Sequence, residues 1–150
     1  MRKSLLVHTD GGARGNPGPA AIGVYITDEV GKELVKFGKT IGEATNNQAE
    51  YRAVIEALEW IKDNLKFNLP ARDQNRGLDV KIFLDSSLVV NQLNGLFKIK
   101  KKHLRDLIIQ VRQKEQEIGG NFSYQFVNRD KNKTADFLVN QALDSSISPW

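Results

Sequence analysis

The chain has 150 residues, the size of one ordinary domain, and at that length it buries roughly two-thirds of its unfolded surface without a disulfide or structural metal. The absence of cysteine excludes thiolate zinc sites and cysteine nucleophiles, and 40% hydrophobic with 27% charged residues excludes a disordered chain. Charge comes too early for a signal-peptide core, no apolar run is long enough to span a membrane, and the net charge is a modest +4, so a cytoplasmic domain with no membrane partner is expected.

Leu5–Thr9 is a short apolar run closed by Asp10, and Gly11–Pro19 reads as a loop rich in Gly, Asn and Pro. Ala20–Thr27 and Glu33–Ile41 are β-rich runs joined by a short Gly-containing connection, which predicts a meander of three antiparallel strands. Thr45 or Asn46 is placed to cap a helix whose apolar residues keep helical spacing through Leu65. Residues 68–78 read as a loop, and Val80–Leu84 as a fourth strand ending at Asp85. Ser86–Leu93 is a short helix stopped at Asn94-Gly95, and a second helix runs on to Gly119-Gly120. Phe122–Val127 alternates as a fifth strand, and a last helix covers about Lys133 to Leu143. The order βββαβααβα predicts an α/β fold, a mixed sheet with helices on its faces, forming one domain over 1–143 with a tail over 144–150. The role of that tail and of Trp150 is not legible.

Residues 98–105 hold five basic side chains and no acid, and without them the chain has 17 basic residues against 18 acidic ones. The basic character is therefore a local patch, either a solvated helix start or a phosphate contact.

Four acids stand where acids are unusual. Asp10 and Asp85 each end an apolar strand, and if those strands are parallel both carboxylates emerge at the same edge of the sheet, where open α/β sheets bind ligands. Glu50 projects in line with Val54, Ala57 and Ile61 in the first turn of its helix, on a stripe where a carboxylate is costly unless paired or metal-bound. Asp136 shares a helical row with Asn132 and Asn140 beside the apolar face of the last helix. Turn, cap and surface roles explain each acid singly. Together they point to an oxygen-ligand site for a hard cation, magnesium or manganese. Two divalent ions about 3.5–4 Å apart would neutralise four carboxylates and support in-line phosphoryl displacement without a side-chain nucleophile.

Four blocks then become recognisable: Thr9-Asp-Gly-Gly-Ala-Arg-Gly-Asn-Pro-Gly-Pro19, Thr45-Asn-Asn-Gln-Ala-Glu-Tyr51, Asp85-Ser-Ser-Leu-Val-Val-Asn91 and Asn132-Lys-Thr-Ala-Asp136. In content, order and spacing the chain resembles the type 1 ribonuclease H family over nearly its whole length. The resemblance implies a ribonuclease H-like fold, with a five-stranded mixed sheet of three antiparallel strands followed by two parallel ones. It implies an endonuclease that cuts the RNA strand of RNA–DNA hybrids with two Mg²⁺ ions, Mn²⁺ substituting, and leaves 5′-phosphate and 3′-OH ends. Asp10 would bridge both metals, Asp136 would complete the nucleophile side, and Glu50 and Asp85 the other. Asn16, Asn46 and Asn47 match positions that contact the hybrid across its minor groove, where amides suit a 2′-OH that both donates and accepts. Gly11, Gly12 and Gly15 would let the backbone approach the strand, and Thr45 matches a position that helps hold a DNA phosphate. Phe97, Lys98, Lys100, Lys101 and Lys102 fall in the place of the family's basic protrusion, which grips the DNA strand.

The loop Asn128-Arg-Asp-Lys-Asn-Lys133 departs from the many members that carry a histidine there, so turnover is expected to be slower or to depend differently on pH. His8 reads as a packed strand residue and His103 as part of the basic segment, neither catalytic. No separate N-terminal hybrid-binding domain and no obligate protein partner are expected, and the chain is expected to be a monomer. A same-fold nuclease acting on double-stranded RNA stays open as an alternative. A non-catalytic hybrid-binding module is less favoured because all four acids are present. A phosphate-binding P-loop is excluded, because no Gly-Lys-Ser/Thr follows the glycines.

Overall fold

Val35, Ile26, Val7, Ile82 and Tyr124 are register partners in one continuous row across a five-stranded sheet. The middle three are fully buried, because alternation along each strand turns these residues to the same face. The computed structural model describes residues 3–65 and 77–145. Its strands are β1 (Lys3–Ala13), β2 (Gly18–Asp28), β3 (Glu33–Ala44), β4 (Leu78–Leu84) and β5 (Asn121–Phe126), and its helices are α1 (Asn46–Asn64), α2 (Ser87–Leu93), α3 (Lys102–Ile118) and α4 (Lys133–Ser145). A 3₁₀ turn at Arg129–Lys131 precedes α4. The sheet order is β3-β2-β1-β4-β5, with β1–β2–β3 antiparallel and β1–β4–β5 parallel. The expected fold and element order are those observed.

Several boundaries differ from expectation. β1 does not end at Asp10: Gly11, Gly12 and Ala13 stay in the ladder opposite Ile22, Ala21 and Ala20. Cross-strand hydrogen bonding to β2 overrides the low strand propensity of the glycines, and the loop shrinks to the residues between Ala13 and Gly18. β4 starts at Leu78, within the stretch expected to be a loop, because Lys3 pairs with Leu78. Residues 68–76 of that loop, and Trp150 with its neighbours in the tail, lie outside the described residues.

Thr45 is the cap of α1. Its hydroxyl accepts from the Gln48 amide while the Gln48 side chain accepts from the Thr45 amide, a reciprocal capping box. The buried stripe of α1 meets Ile22, Val24 and Ile26 on one face of the sheet, and α3 packs against α1. On the opposite face α4 lies over β2, β3 and β1, with Val139 and Leu143 against Ala21. A polar tie, buried at one end and partly buried at the other, joins the elements beside α3. The Tyr51 hydroxyl donates to Gln92 Oε1 at 2.6 Å, Arg112 donates to the Leu93 carbonyl, and Glu115 accepts from Arg112 and from the Tyr124 hydroxyl. Asn94 donates to the Tyr124 carbonyl, so the end of α2 is held from two sides. No helix among the described residues is long and apolar enough to cross a membrane.

Candidate active site

Parallel pairing of β1 with β4 brings Asp10, which lies inside β1, beside Asp85, which follows the last residue of β4. Glu50 arrives from α1, and its buried position on the apolar stripe is borne out at 5% exposure. It sits in the second turn of α1 rather than the first, since the cap falls at Thr45. Gly11 makes its approach possible. A Cβ there would stand 2.2 Å from the Ala49 carbonyl group, so only glycine lets α1 touch the strand, and the Gly11 amide then donates to Glu50 Oε1 at 2.6 Å.

Asp10, Glu50 and Asp85 each offer a carboxylate oxygen, and the three oxygens lie within 4.8 Å of one another. Asp136 enters from α4, outside that close cluster but near enough for its charge to act on Asp10. All four line one open cleft of about 510 Å³.

Burial pushes the Asp10 carboxyl up to about 7; the Glu50 hydrogen bond opposes this, and the charges of Asp85 and Asp136 add to it. Burial likewise holds Glu50 well above the ordinary carboxylate range, reinforced by its contact with Asp10 and opposed by the Gly11 amide. Glu50 Oε2 is buried and meets no donor. A set of hard oxygen donors, mutually repelling and with one orphaned buried oxygen, fits a divalent cation of the magnesium type.

The cleft is also lined by Gly12 and Asn46, together with Arg14, Ser86, Ser87, Arg129 and Asn140. Asn46 is exposed at its edge; its amide donates to Asn16 Oδ1 and its own Oδ1 accepts from the Ala13 amide, tying the loop after β1 to the start of α1. Thr45 is engaged in the cap and Asn47 is partly buried. Phe97, Lys98, Lys100, Lys101 and Lys102 are exposed on a separate projection and do not line the cleft. Lys102 pairs with Asp106 at 3.3 Å. His8 stacks on Phe83 at 4.9 Å between ring centroids, and burial lowers its pKa, which fits the packed strand residue expected.

Asn132 is the residue whose place in the site was not anticipated. It is 1% exposed, and its Nδ2 donates both to the Thr9 carbonyl at 2.9 Å and to Asp85 Oδ2 at 3.2 Å. Its membership of the Asn132–Asp136 block was the available signal, but nothing in the sequence paired it with Asp85. Arg14 and Arg129 were also missed, and Arg14 bridges to Asp144 at 2.7 Å at the far end of α4.

A family profile described as "Reverse transcriptase-like" matches residues 8–142. The chain is 41% identical over 138 residues to a protein named ribonuclease HI from Halobacterium salinarum, covering 91% of this chain and 63% of that one. It is 35% identical over 146 residues to the bifunctional protein Rv2228c of Mycobacterium tuberculosis, covering 95% of this chain and 36% of that one. The chain thus spans less than two-thirds of the length of either relative. Among solved structures, LC11-RNase H1 in complex with an RNA/DNA hybrid superposes with a TM-score of 0.84 at 40% identity, covering 96% of this chain and 99% of that one. With motif blocks, strand order, carboxylate cluster and near full-length match in agreement, the chain belongs to the type 1 ribonuclease H family.

Proposed function

We propose that this protein is an endonuclease that hydrolyses the RNA strand of RNA–DNA hybrids, leaving 5′-phosphate and 3′-OH ends. The observation that carries this is the convergence of Asp10, Glu50, Asp85 and Asp136, from four separate elements, on one open cleft. Two Mg²⁺ ions, for which Mn²⁺ would substitute, would supply Lewis-acid stabilisation of the phosphoryl oxygens and a hydroxide nucleophile at neutral pH. Asp10 would be the ligand common to both ions, with Glu50 and Asp85, which share its 4.8 Å cluster, and Asp136, which lines the same cleft, as the other ligands. Asn132 keeps the Asp85 carboxylate oriented by donating to its Oδ2.

The hybrid is recognised by two separated surfaces. Gly12, Asn16, Asn46 and Asn47 lie where the loop after β1 meets α1, so their amides read 2′-OH groups of the RNA strand, and Thr45 supports a phosphate of the DNA strand. Phe97 and the lysines at 98, 100, 101 and 102 grip the DNA strand. Their placement supports this: Lys101 caps α3 with no side-chain hydrogen bond and Lys102 opens it, at the end of a helix where positive charge is unfavourable unless an anion arrives. The hybrid-bound LC11-RNase H1 is the relative that favours a hybrid over an RNA duplex as substrate. The enzyme so read works as a monomer in the cytoplasm.

The test is a cleavage assay on one labelled RNA strand, annealed to DNA, annealed to RNA or left single, with Mg²⁺, Mn²⁺ or EDTA, beside Asp10→Asn. Metal-dependent cutting of the hybrid alone, lost in the variant, is the expected result. Cutting of the RNA duplex broadens the substrate, and tight hybrid binding with no cutting in either metal overturns the catalytic reading.

A further inference from the structure

Asp10, Gly23 and Gly38 lie side by side in one row across β1, β2 and β3. The two glycines form a seat for α4. A Cβ on Gly23 would stand 2.2 Å from the Ala135 carbonyl oxygen, and one on Gly38 would stand 2.4 Å from that of Leu138. Real Cβ atoms do not approach backbone oxygens so closely, so any side chain at either position forces the helix off the sheet. Ala135 immediately precedes Asp136, which lines the same cleft as Asp10. The distance between those two carboxyls is therefore decided on β2, at the residue directly opposite Asp10. Gly11 does the same on the other face, where its bare backbone admits Glu50.

From this geometry we infer that Gly23 is a positioning residue for the metal centre, holding Asp136 within reach of an ion shared with Asp10, and that Gly38 supports the same seat one step farther away. The inference rests on the carboxylate cluster being a divalent-metal site. Gly23 touches neither substrate nor ion. It acts through the height of α4, and a displacement of about 1 Å at a ligand is enough to disturb a metal site. Ordinary packing would make Gly23 matter for stability alone. Positioning makes it matter for metal affinity in a way that a longer ligand side chain repairs.

The experiment is calorimetric titration of the whole protein with Mn²⁺, for the wild type, Gly23→Ala, Asp136→Glu and the double variant, with thermal melting in EDTA alongside. Gly23→Ala should weaken Mn²⁺ binding by about tenfold, the scale seen when a supporting residue is removed from a metal site. Asp136→Glu should also weaken binding in the wild-type background, yet in the Gly23→Ala background it should recover at least about threefold of the loss, because the extra methylene spans the lifted helix. Gly38→Ala should show the same pattern at smaller amplitude, and it carries the test if Gly23→Ala does not fold. Unchanged Mn²⁺ affinity in the glycine variants, or losses that simply multiply in the double variants, overturns the inference. A wild type that binds no Mn²⁺ overturns the metal-site reading itself, and this inference with it.

Discussion

Asn132 and Asp85, 47 residues apart in the chain, are joined by a hydrogen bond of 3.2 Å, while the same Asn132 nitrogen holds the Thr9 carbonyl at 2.9 Å. One buried amide thus ties the strand that carries Asp10 to the end of the strand that carries Asp85. Both partners are left without this donor if the amide is removed.

Asn132→Ala is therefore expected to cost about 1–3 kcal/mol of stability, the penalty for stranding a buried acceptor. It should also lower kcat by about 10- to 100-fold through loss of Asp85 orientation, with KM for the hybrid little changed. Melting curves and steady-state cleavage assays check both. A stability loss with kcat intact would leave Asn132 a structural residue only.

Glu50 is buried among other acids, with one oxygen satisfied by Gly11 and the other by no donor. Glu50→Gln removes the charge and keeps the shape. In EDTA near pH 8 the variant is expected to melt higher than the wild type, each kcal/mol corresponding to about 2–4 °C for a chain of this size. Divalent metal should no longer stabilise it to the same extent, and cleavage should fall by at least about 10²-fold. A variant that melts lower in EDTA would show that the buried carboxylate is not a strained group.

The raised Asp10 pKa sets a pH dependence for the metal-free protein. The folded group binds its proton up to about pH 7, whereas the unfolded one releases it near pH 4. Between those values the native state holds more protons, so stability falls as pH rises. Its contribution is greatest below about pH 4 and is lost through about pH 7. Melting in EDTA should accordingly decline on this account between pH 5 and pH 8, and Mg²⁺ at pH 8 should restore what was lost by taking the place of the proton. A metal-free melting temperature that rises across that window, or Asp10→Asn with the same profile as the wild type, would contradict the assignment.

The exposed lysines of the projection are separate from the cleft, so their removal should touch binding and spare chemistry. Replacing Lys100, Lys101 and Lys102 by Ala is expected to raise KM at moderate salt and leave kcat near the wild-type value. The slope of log KM against log salt should be shallower by about 0.7–0.9 for each phosphate that the lysines no longer neutralise. A salt series of cleavage rates measures this, and an unchanged slope would remove the segment from the substrate interface.

Fold class and the four carboxylates were legible because they rest on local signals. Asp10 and Asp85 each follow an apolar run, and Glu50 interrupts a helical stripe that is otherwise apolar. Periodicity of 2 or 3.6 residues is a property of a short window, so it can be read without knowing what lies across it. Asn132 stood in a recognisable block, yet its partnership with Asp85 could not be read, since no periodicity links residues 47 positions apart. The end of β1 was misjudged for a related reason: glycines signal a turn locally, while the ladder to β2 that keeps them extended is a long-range interaction.

The amino-acid sequence by itself determined the order and type of the strands and helices, which four acids stand in unusual places, and that the basic charge is gathered at residues 98–105. Tertiary structure alone decided how close those groups come. The close seating of α4, which carries Asp136, depends on Gly23, and the entry of Glu50 depends on Gly11. In both cases the deciding feature is the absence of a Cβ where a helix backbone meets a strand. A missing atom has no local signature: the same glycine in the sequence marks a turn, a bulge or a close approach, and only the element packed above it determines which.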